Sequence, residues 1–264
     1  MMAKIYDVHG KEAGTVELPA VFKTEYKPSL IKKAVLAMQA NKRQAYGRDP
    51  LAGKKTSAHY HGSRHYRYTM MNKEMARIAR IHGRIGYLAF TARFVPQAVK
   101  GRKAHPPVAE KVWTQKINKK EARAAVRSLI AATANAEIVK ARGHLYENQL
   151  PVIVTNDFEK IAKAKEMAVA LEKVLGSKEM ARSGQKKIRA GKGKTRGRKY
   201  RQKIGPLLVV SAKCDAMKAC SAIPGVNVVT ASNVNAEFLA PGTHAGRLAV
   251  YTVSALKELE KRFA

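Results

Sequence analysis

Pro151-Val152-Ile153-Val154-Thr155 is the stretch on which the fold turns. Its apolar residues run without a break, as a strand buried on both faces requires; a strand with one wet face would alternate. Leu207-Leu208-Val209-Val210, Val226-Asn227-Val228-Val229 and Leu248-Ala249-Val250-Tyr251 repeat the signal. Helical patterns lie around these runs. Asn156 with Glu159 reads as a capping-box start, followed by an apolar face of Ile161, Ala164, Ala168, Leu171 and Leu175 and a stop at Gly176. Pro28 opens a helix with Ile31, Ala34, Val35 and Met38 on one face. Asn118 with Glu121 opens another, carrying Ala122, Val126, Leu129 and Ile130, and a last helix starts at Ser254. Lys4 to Val8 and Gly14 to Leu18 alternate around a polar turn, the pattern of a hairpin. Strands alternating with helices predict an α/β class: one globular domain with a mostly parallel sheet flanked by helices, Rossmann-like. Residues 1–40 and 106–264 are expected to form that domain, with 41–105 as a long, extended basic insertion.

Lys and Arg number 51 against 19 Asp and Glu, a formal net charge of +32. Like charges repel in a compact chain, so a polyanionic partner is implied: nucleic acid, an anionic membrane or an acidic protein. A membrane partner is not expected. No apolar run reaches the roughly 18 residues of a spanning helix, and Met1 to Val8 has no apolar signal core. Cys214 and Cys220 lack the companion ligands of a zinc site and are too few for a disulfide framework. They read as reduced thiols in a cytoplasmic protein. The charge is also segregated. Residues 41–105 hold 15 Lys and Arg against Asp49 and Glu74, and residues 182–203 hold 11 with no acid. Those two segments carry +24 of the +32.

The first basic segment interleaves its cations with Tyr46, Tyr60, Tyr66, Tyr68, Tyr87, Phe90 and Phe94, outside any core periodicity. Phosphates attract Lys and Arg with release of counterions, and aromatic or guanidinium planes stack on unpaired bases. The combination points to RNA. Candidate contacts early in the segment are Arg43, Tyr46, Arg48, Lys54, Lys55 and His59. Arg64, Arg67, Arg77, Arg80, Arg84 and Arg93 follow, then Lys100, Arg102, Lys103 and His105. A short helix is expected after Asn72, where Met75, Ile78, Ala79 and His82 have helical spacing. Five of the eight histidines lie here, but His59-Tyr60-His61 has no carboxylate or Cys beside it in a cationic setting, so no metal is expected.

The second segment contains Ala190-Gly191-Lys192-Gly193-Lys194-Thr195-Arg196-Gly197-Arg198-Lys199-Tyr200-Arg201. Its glycines let the backbone approach phosphates, and Lys192, Lys194, Arg196, Arg198, Lys199 and Arg201 are the candidate contacts. Gly193-Lys194-Thr195 ends like a P-loop, but the earlier glycine would fall at Ile188. Gly191-x-Gly193 begins like a dinucleotide fingerprint, but its third glycine, Gly197, comes one residue late. Paired carboxylates, a nucleophile elbow and a Cys/His arrangement with adequate context are all missing from the sequence. No catalytic residue, cofactor or small-molecule substrate is expected.

These pieces together resemble the universal large-subunit ribosomal protein four family in its archaeal/eukaryotic form. The matching residues begin with Ile5-Tyr6-Asp7, Glu17-Leu18-Pro19 and Val21-Phe22, and continue with Val95 to Arg102 and Ala104-His105-Pro106-Pro107. Ala125-Val126-Arg127-Ser128, Ala131-Ala132-Thr133, Ala190 to Arg201, Leu239-Ala240-Pro241-Gly242 and Gly246-Arg247-Leu248 complete the set. The resemblance implies a non-enzymatic structural constituent of the large subunit. It further implies partners in 23S-type rRNA and neighbouring large-subunit proteins, a role in subunit assembly, and an insertion that helps line the peptide exit tunnel. The tunnel-facing tip would fall within 60–93. There the chain departs from the family pattern, with Ser63-Arg64-His65-Tyr66-Arg67-Tyr68 where a glycine-rich run is expected after Gly62. Two other classes fit the charge or the layers alone: a DNA-compacting chromatin protein and a nucleotide-dependent enzyme.

Overall fold

The computed structural model describes residues 2–82 and 86–263. It falls into two units, Met1–Lys42 with Thr114–Ala264, and Arg43–Trp113.

In the first unit the strands are β1 (Met2–Tyr6), β2 (Glu12–Glu17), β3 (Val152–Val154), β4 (Lys186–Ile188), β5 (Tyr200–Gln202), β6 (Leu207–Val210), β7 (Asn227–Thr230) and β8 (Ala249–Thr252). The helices are α1 (Pro28–Asn41), α2 (Lys119–Thr133), α3 (Ala136–Ala141), α4 (Ala164–Leu175), α5 (Ser177–Gly184), α6 (Ala216–Ser221), α7 (Ala236–Leu239) and α8 (Val253–Phe263). Six strands make one sheet in the order β2-β1-β3-β8-β6-β7. β2 pairs antiparallel with β1, and the remaining four pairings are parallel. Counted along the chain, the five parallel strands lie in the order 1-2-5-3-4, unlike the 3-2-1-4-5-6 of dinucleotide-binding sheets. The expected Rossmann-like order is therefore not found; the sheet is a six-stranded, mostly parallel one with helices against it.

The unbroken apolar runs are explained by what covers them. β3, β6 and β8 are buried along their whole length. Successive side chains of a strand point to opposite faces, so each run feeds two cores. Ile153, Leu207, Val209 and Tyr251 pack with α1, α2 and α8, whereas Val152, Val154, Leu208, Val210 and Val250 pack with α4 and α6. Phe22 meets the Tyr251 ring edge-on at 5.4 Å, and the Tyr251 hydroxyl pairs with Thr133 Oγ1 at 3.0 Å.

Two expectations are corrected and one is met. Asn156 and Glu159 do not cap a helix of their own. Residues Asn156–Lys160 form a 3-10 turn, and the helix starts later, at Ala164. Asn156 Oδ1 instead accepts from the Ser254 N–H at the start of α8, and Glu159 accepts from Ser211, Thr252 and Ser254. Those long-range partners outbid the local cap. Asn118 does stand at the N-cap of α2 but its side chain makes no cap bond, and Glu121 is drawn to Lys33 at 2.8 Å. Gly176 does end α4, at φ +89°, but the chain re-enters a helix at once in α5.

In the second unit the expected helix after Asn72 is absent. Asn72 and Glu74 take left-handed backbone, φ 58° and 51°, which ends a right-handed helix. Ala79 and Ile81 are used with period two: His59 bridges Arg80, and Arg80 bridges Ala92, around a small core of Ala58, Ala79 and Ile81. The two ends of the unit run close together. Arg48 N–H donates to Pro107 O at 2.9 Å, and a Cβ on Gly47 would lie 2.5 Å from the backbone of Ala109. A Cβ on Gly101 would lie 1.9 Å from Val95 O, so that glycine is required by space.

Candidate nucleic-acid interface

The second basic segment is organised by a hairpin. β4 and β5 pair Lys186 with Gln202 through Ile188 with Tyr200. The linking turn is closed by Arg189 N–H on Lys199 O at 2.8 Å, and it uses left-handed glycines at 191 and 197. Arg189 is spent internally, donating to the carbonyls of Arg198 and Tyr200. Lys192, Lys194, Arg196, Arg198, Lys199 and Arg201 are exposed, and none has a carboxylate partner among the described residues. They form a single-sign patch on one hairpin, five on its turn and Arg201 in β5.

Arg182 is not part of that patch. It is nearly buried against Glu179, with Nη2 at 2.6 Å and Nε at 2.7 Å, and it also donates to Ile204 O. Glu179 further accepts from His144 Nδ1 at 2.7 Å and from the Leu145 N–H at 2.9 Å. Burial alone would raise the Glu179 carboxyl, but the bonds from Arg182, His144 and Leu145 outweigh it and hold it at about 2. His144 is held below the usual imidazole range by its burial, against the opposing pull of Glu179. This cluster braces the wall of an open cavity of about 1110 Å³ in the same unit, lined by Lys32, Arg142, Lys187, Arg201, Lys203 and His244. Sequence reading missed Lys32, Arg142 and His244. They lie in three distant stretches, and only the fold assembles them.

In the second unit Arg43, Arg48, Lys54, Lys55, His59, Arg64, Arg67, Arg77, Lys100, Lys103 and His105 are exposed. Arg102 is half-buried, and Lys55 is paired with Asp49 at 2.7 Å. Arg80 and Arg93 are also half-buried and face inward. Arg80 donates to the carbonyls of Ala76 and Phe90, and Arg93 to those of Ala92 and Val99. Their charge braces the unit. Arg84 lies outside the described residues. Tyr46 stacks on Trp113 at 5.7 Å with the Arg43 guanidinium 3.7 Å from the Trp113 ring, a cation–π layer that the sequence did not announce. Of the other aromatics, Tyr66 lies against His61, whereas Tyr87 is 93% exposed and Tyr60 47%. Tyr87 and Tyr60 are exposed and stack on no other ring among the described residues; both belong to the interleaved aromatics of the sequence, though neither stood among the named candidate contacts.

The first unit thus carries exposed cations on and beside a glycine turn, and the second carries exposed cations together with open aromatic faces. No helix among the described residues is long and apolar enough to cross a membrane. Comparison with known proteins gives the lineage. The family described as ribosomal protein L4/L1 matches residues 16–262. This chain belongs to that family. It is a family of ribosomal proteins, not of enzymes. Among similar proteins is the large ribosomal subunit protein uL4 of Haloquadratum walsbyi, 46% identical across 99% of this chain and all of that protein. Those of Methanocaldococcus jannaschii and Methanothrix thermoacetophila are likewise 46% identical, over 100% and 99% of this chain and the whole of each relative. The L4/L1 match spans both units. The free cations and the open tyrosines therefore belong to a protein whose relatives are parts of a ribosome.

Proposed function

We propose that the chain is a structural constituent of the large ribosomal subunit that binds 23S-type rRNA, supports subunit assembly and helps line the polypeptide exit tunnel. The observation that carries the rRNA reading is the β4–β5 hairpin with its six exposed cations, none of which has a carboxylate partner among the described residues. Family membership and the large-subunit relatives support the ribosomal setting. Arg43–Trp113 is read as the long basic insertion, longer at its C-terminal end than the 41–105 of the sequence reading, with 60–93 as its tunnel-facing tip. Its small core and left-handed backbone at Asn72, Glu74, Phe90, Phe94 and Lys100 support that reading. Such conformations cost on the order of 1–3 kcal/mol each and persist where surrounding contacts hold them, which packed rRNA would supply. Neutralised phosphates give the affinity, stacked tyrosines add to it, and base-edge readout is not required. Neighbouring large-subunit proteins are the expected further partners. Sedimentation tests the reading. The full chain should travel with the large subunit, and a chain lacking 60–93 should still do so while altering the tunnel. Failure of the full chain to associate would refute the proposal, and loss of association on removing 60–93 alone would make the tip the anchor.

A further inference from the structure

The second unit brings together three histidines that the sequence keeps apart. His59 and His61 are neighbours, and His82 reaches them from 21 residues further on. One ring nitrogen from each lies within 4.8 Å of the other two. The ring centroids are 4.1, 4.5 and 4.7 Å apart. The hydrogen bonds of the ring nitrogens decide what the cluster can do. His59 Nδ1 lies 2.9 Å from Ser57 O, and His82 Nε2 lies 3.1 Å from His59 O. A carbonyl only accepts, so both of those nitrogens carry the proton and donate. That leaves His59 Nε2 and His82 Nδ1 as bare lone pairs, and His82 Nδ1 is buried without a hydrogen-bond partner among the described residues. A buried polar atom left unpaired is costly, and few explanations are open to it.

Metal-binding histidines show this pattern: one nitrogen on the ion, the other donating to a carbonyl that fixes the ring and its tautomer. We infer that His59, His61 and His82 form a binding site for one divalent cation of the zinc class. Three imidazoles with an open fourth position for an oxygen ligand is an arrangement zinc adopts, at roughly 2.0–2.1 Å per bond. Tetrahedral bonds of that length set the nitrogens about 3.4 Å apart, so small ring rotations bring the cluster onto an ion. The neighbouring Arg80 keeps its charge, but its guanidinium is anchored on the carbonyls of Ala76 and Phe90. The bridge His59–Arg80 already ties the two stretches together, and an ion would clamp them.

The inference is independent of the rRNA reading, and its test uses metal alone. The full chain is titrated with Co²⁺, then competed with Zn²⁺, alongside H59Q, H61Q and H82Q and the control variants H65Q and H105Q. One Co²⁺ per chain with the visible absorption of a tetrahedral, nitrogen-rich site is expected, displaced by Zn²⁺. Each of the three variants should weaken Zn²⁺ binding by at least about 10- to 100-fold, the loss that removal of even a supporting partner produces. The two controls should bind as the parent does. Zn²⁺ should also protect Arg43–Trp113 from limited proteolysis in the parent and in the controls but not in H82Q. That readout, together with the unfolding curve of the first unit, separates loss of a ligand from loss of fold. A weak octahedral spectrum, or five variants that behave alike, would overturn the proposal.

Discussion

Replacing Lys192, Lys194, Arg196, Arg198, Lys199 and Arg201 together with Gln should flatten the salt dependence of RNA binding by a calculable amount. All six are exposed, five on the turn between β4 and β5 and Arg201 in β5 itself, and lack carboxylate partners among the described residues, so each is free to neutralise one phosphate. Each phosphate contact contributes about 0.7 (single-stranded) to 0.9 (duplex) to the slope of log K against log salt, so six contacts amount to about 4–5. Between 50 and 200 mM salt the parent should therefore lose about 300- to 1000-fold more affinity than the variant. Arg189, which closes the turn, is kept, so the hairpin survives the change. The assay is filter binding or fluorescence anisotropy with a large-subunit rRNA fragment over a salt series. A slope that changes by less than about 1, the worth of a single contact, would mean that this turn does not face phosphates.

Glu179→Gln should destabilise the first unit by about 3–5 kcal/mol, the usual result of breaking a buried ion pair, as read in urea unfolding. The Glu179 carboxyl sits at about 2 when folded against 4.5 ordinarily, so its contribution of roughly 3 kcal/mol is complete above pH 4.5 and fades as pH falls towards 2. Acid titration of the parent should show that loss, and the Gln variant should lack it. Gly101→Ala should disrupt only the second unit, because the new methyl would meet Val95 O at 1.9 Å; limited proteolysis of 43–113 should speed up while the first unit melts unchanged. Tyr87→Ser, at a side chain 93% exposed, should leave stability untouched and weaken binding to unpaired rRNA by about 1–3 kcal/mol.

The central layers of the fold were legible because burial on both faces leaves a local mark. Leu207 to Val210, bounded by Gly205-Pro206 and too short for a buried helix, reads as a strand. Strand edges moved by a residue, β7 starting at Asn227 and β8 at Ala249, since hydrogen-bond register is set by neighbours. Asn156 and Glu159 misled because their best partners lie about a hundred residues on in sequence, and a capping motif carries no sign of that competition. Ala79 and Ile81 misled for the opposite reason: a short apolar run fits both periods, and the pairing of His59 with Arg80 chose between them. At the candidate interface, charge density identified the exposed cations of the hairpin, but it could not tell them from Arg80, Arg93 and Arg182, which are turned inward onto carbonyls or a carboxylate. The gathering of His82 with His59 and His61 had no local signal at all.

Competition between structured large-subunit rRNA fragments and duplex DNA of matched length, at one fixed salt concentration, tests the central claim most directly. Phosphate attraction is common to both ligands, whereas the open faces of Tyr60 and Tyr87 find unpaired bases only on the RNA. Two stacked bases at about 1–3 kcal/mol each predict that the rRNA fragment binds at least tenfold more tightly. Equal affinity for the two, or a preference for duplex DNA, would contradict the account.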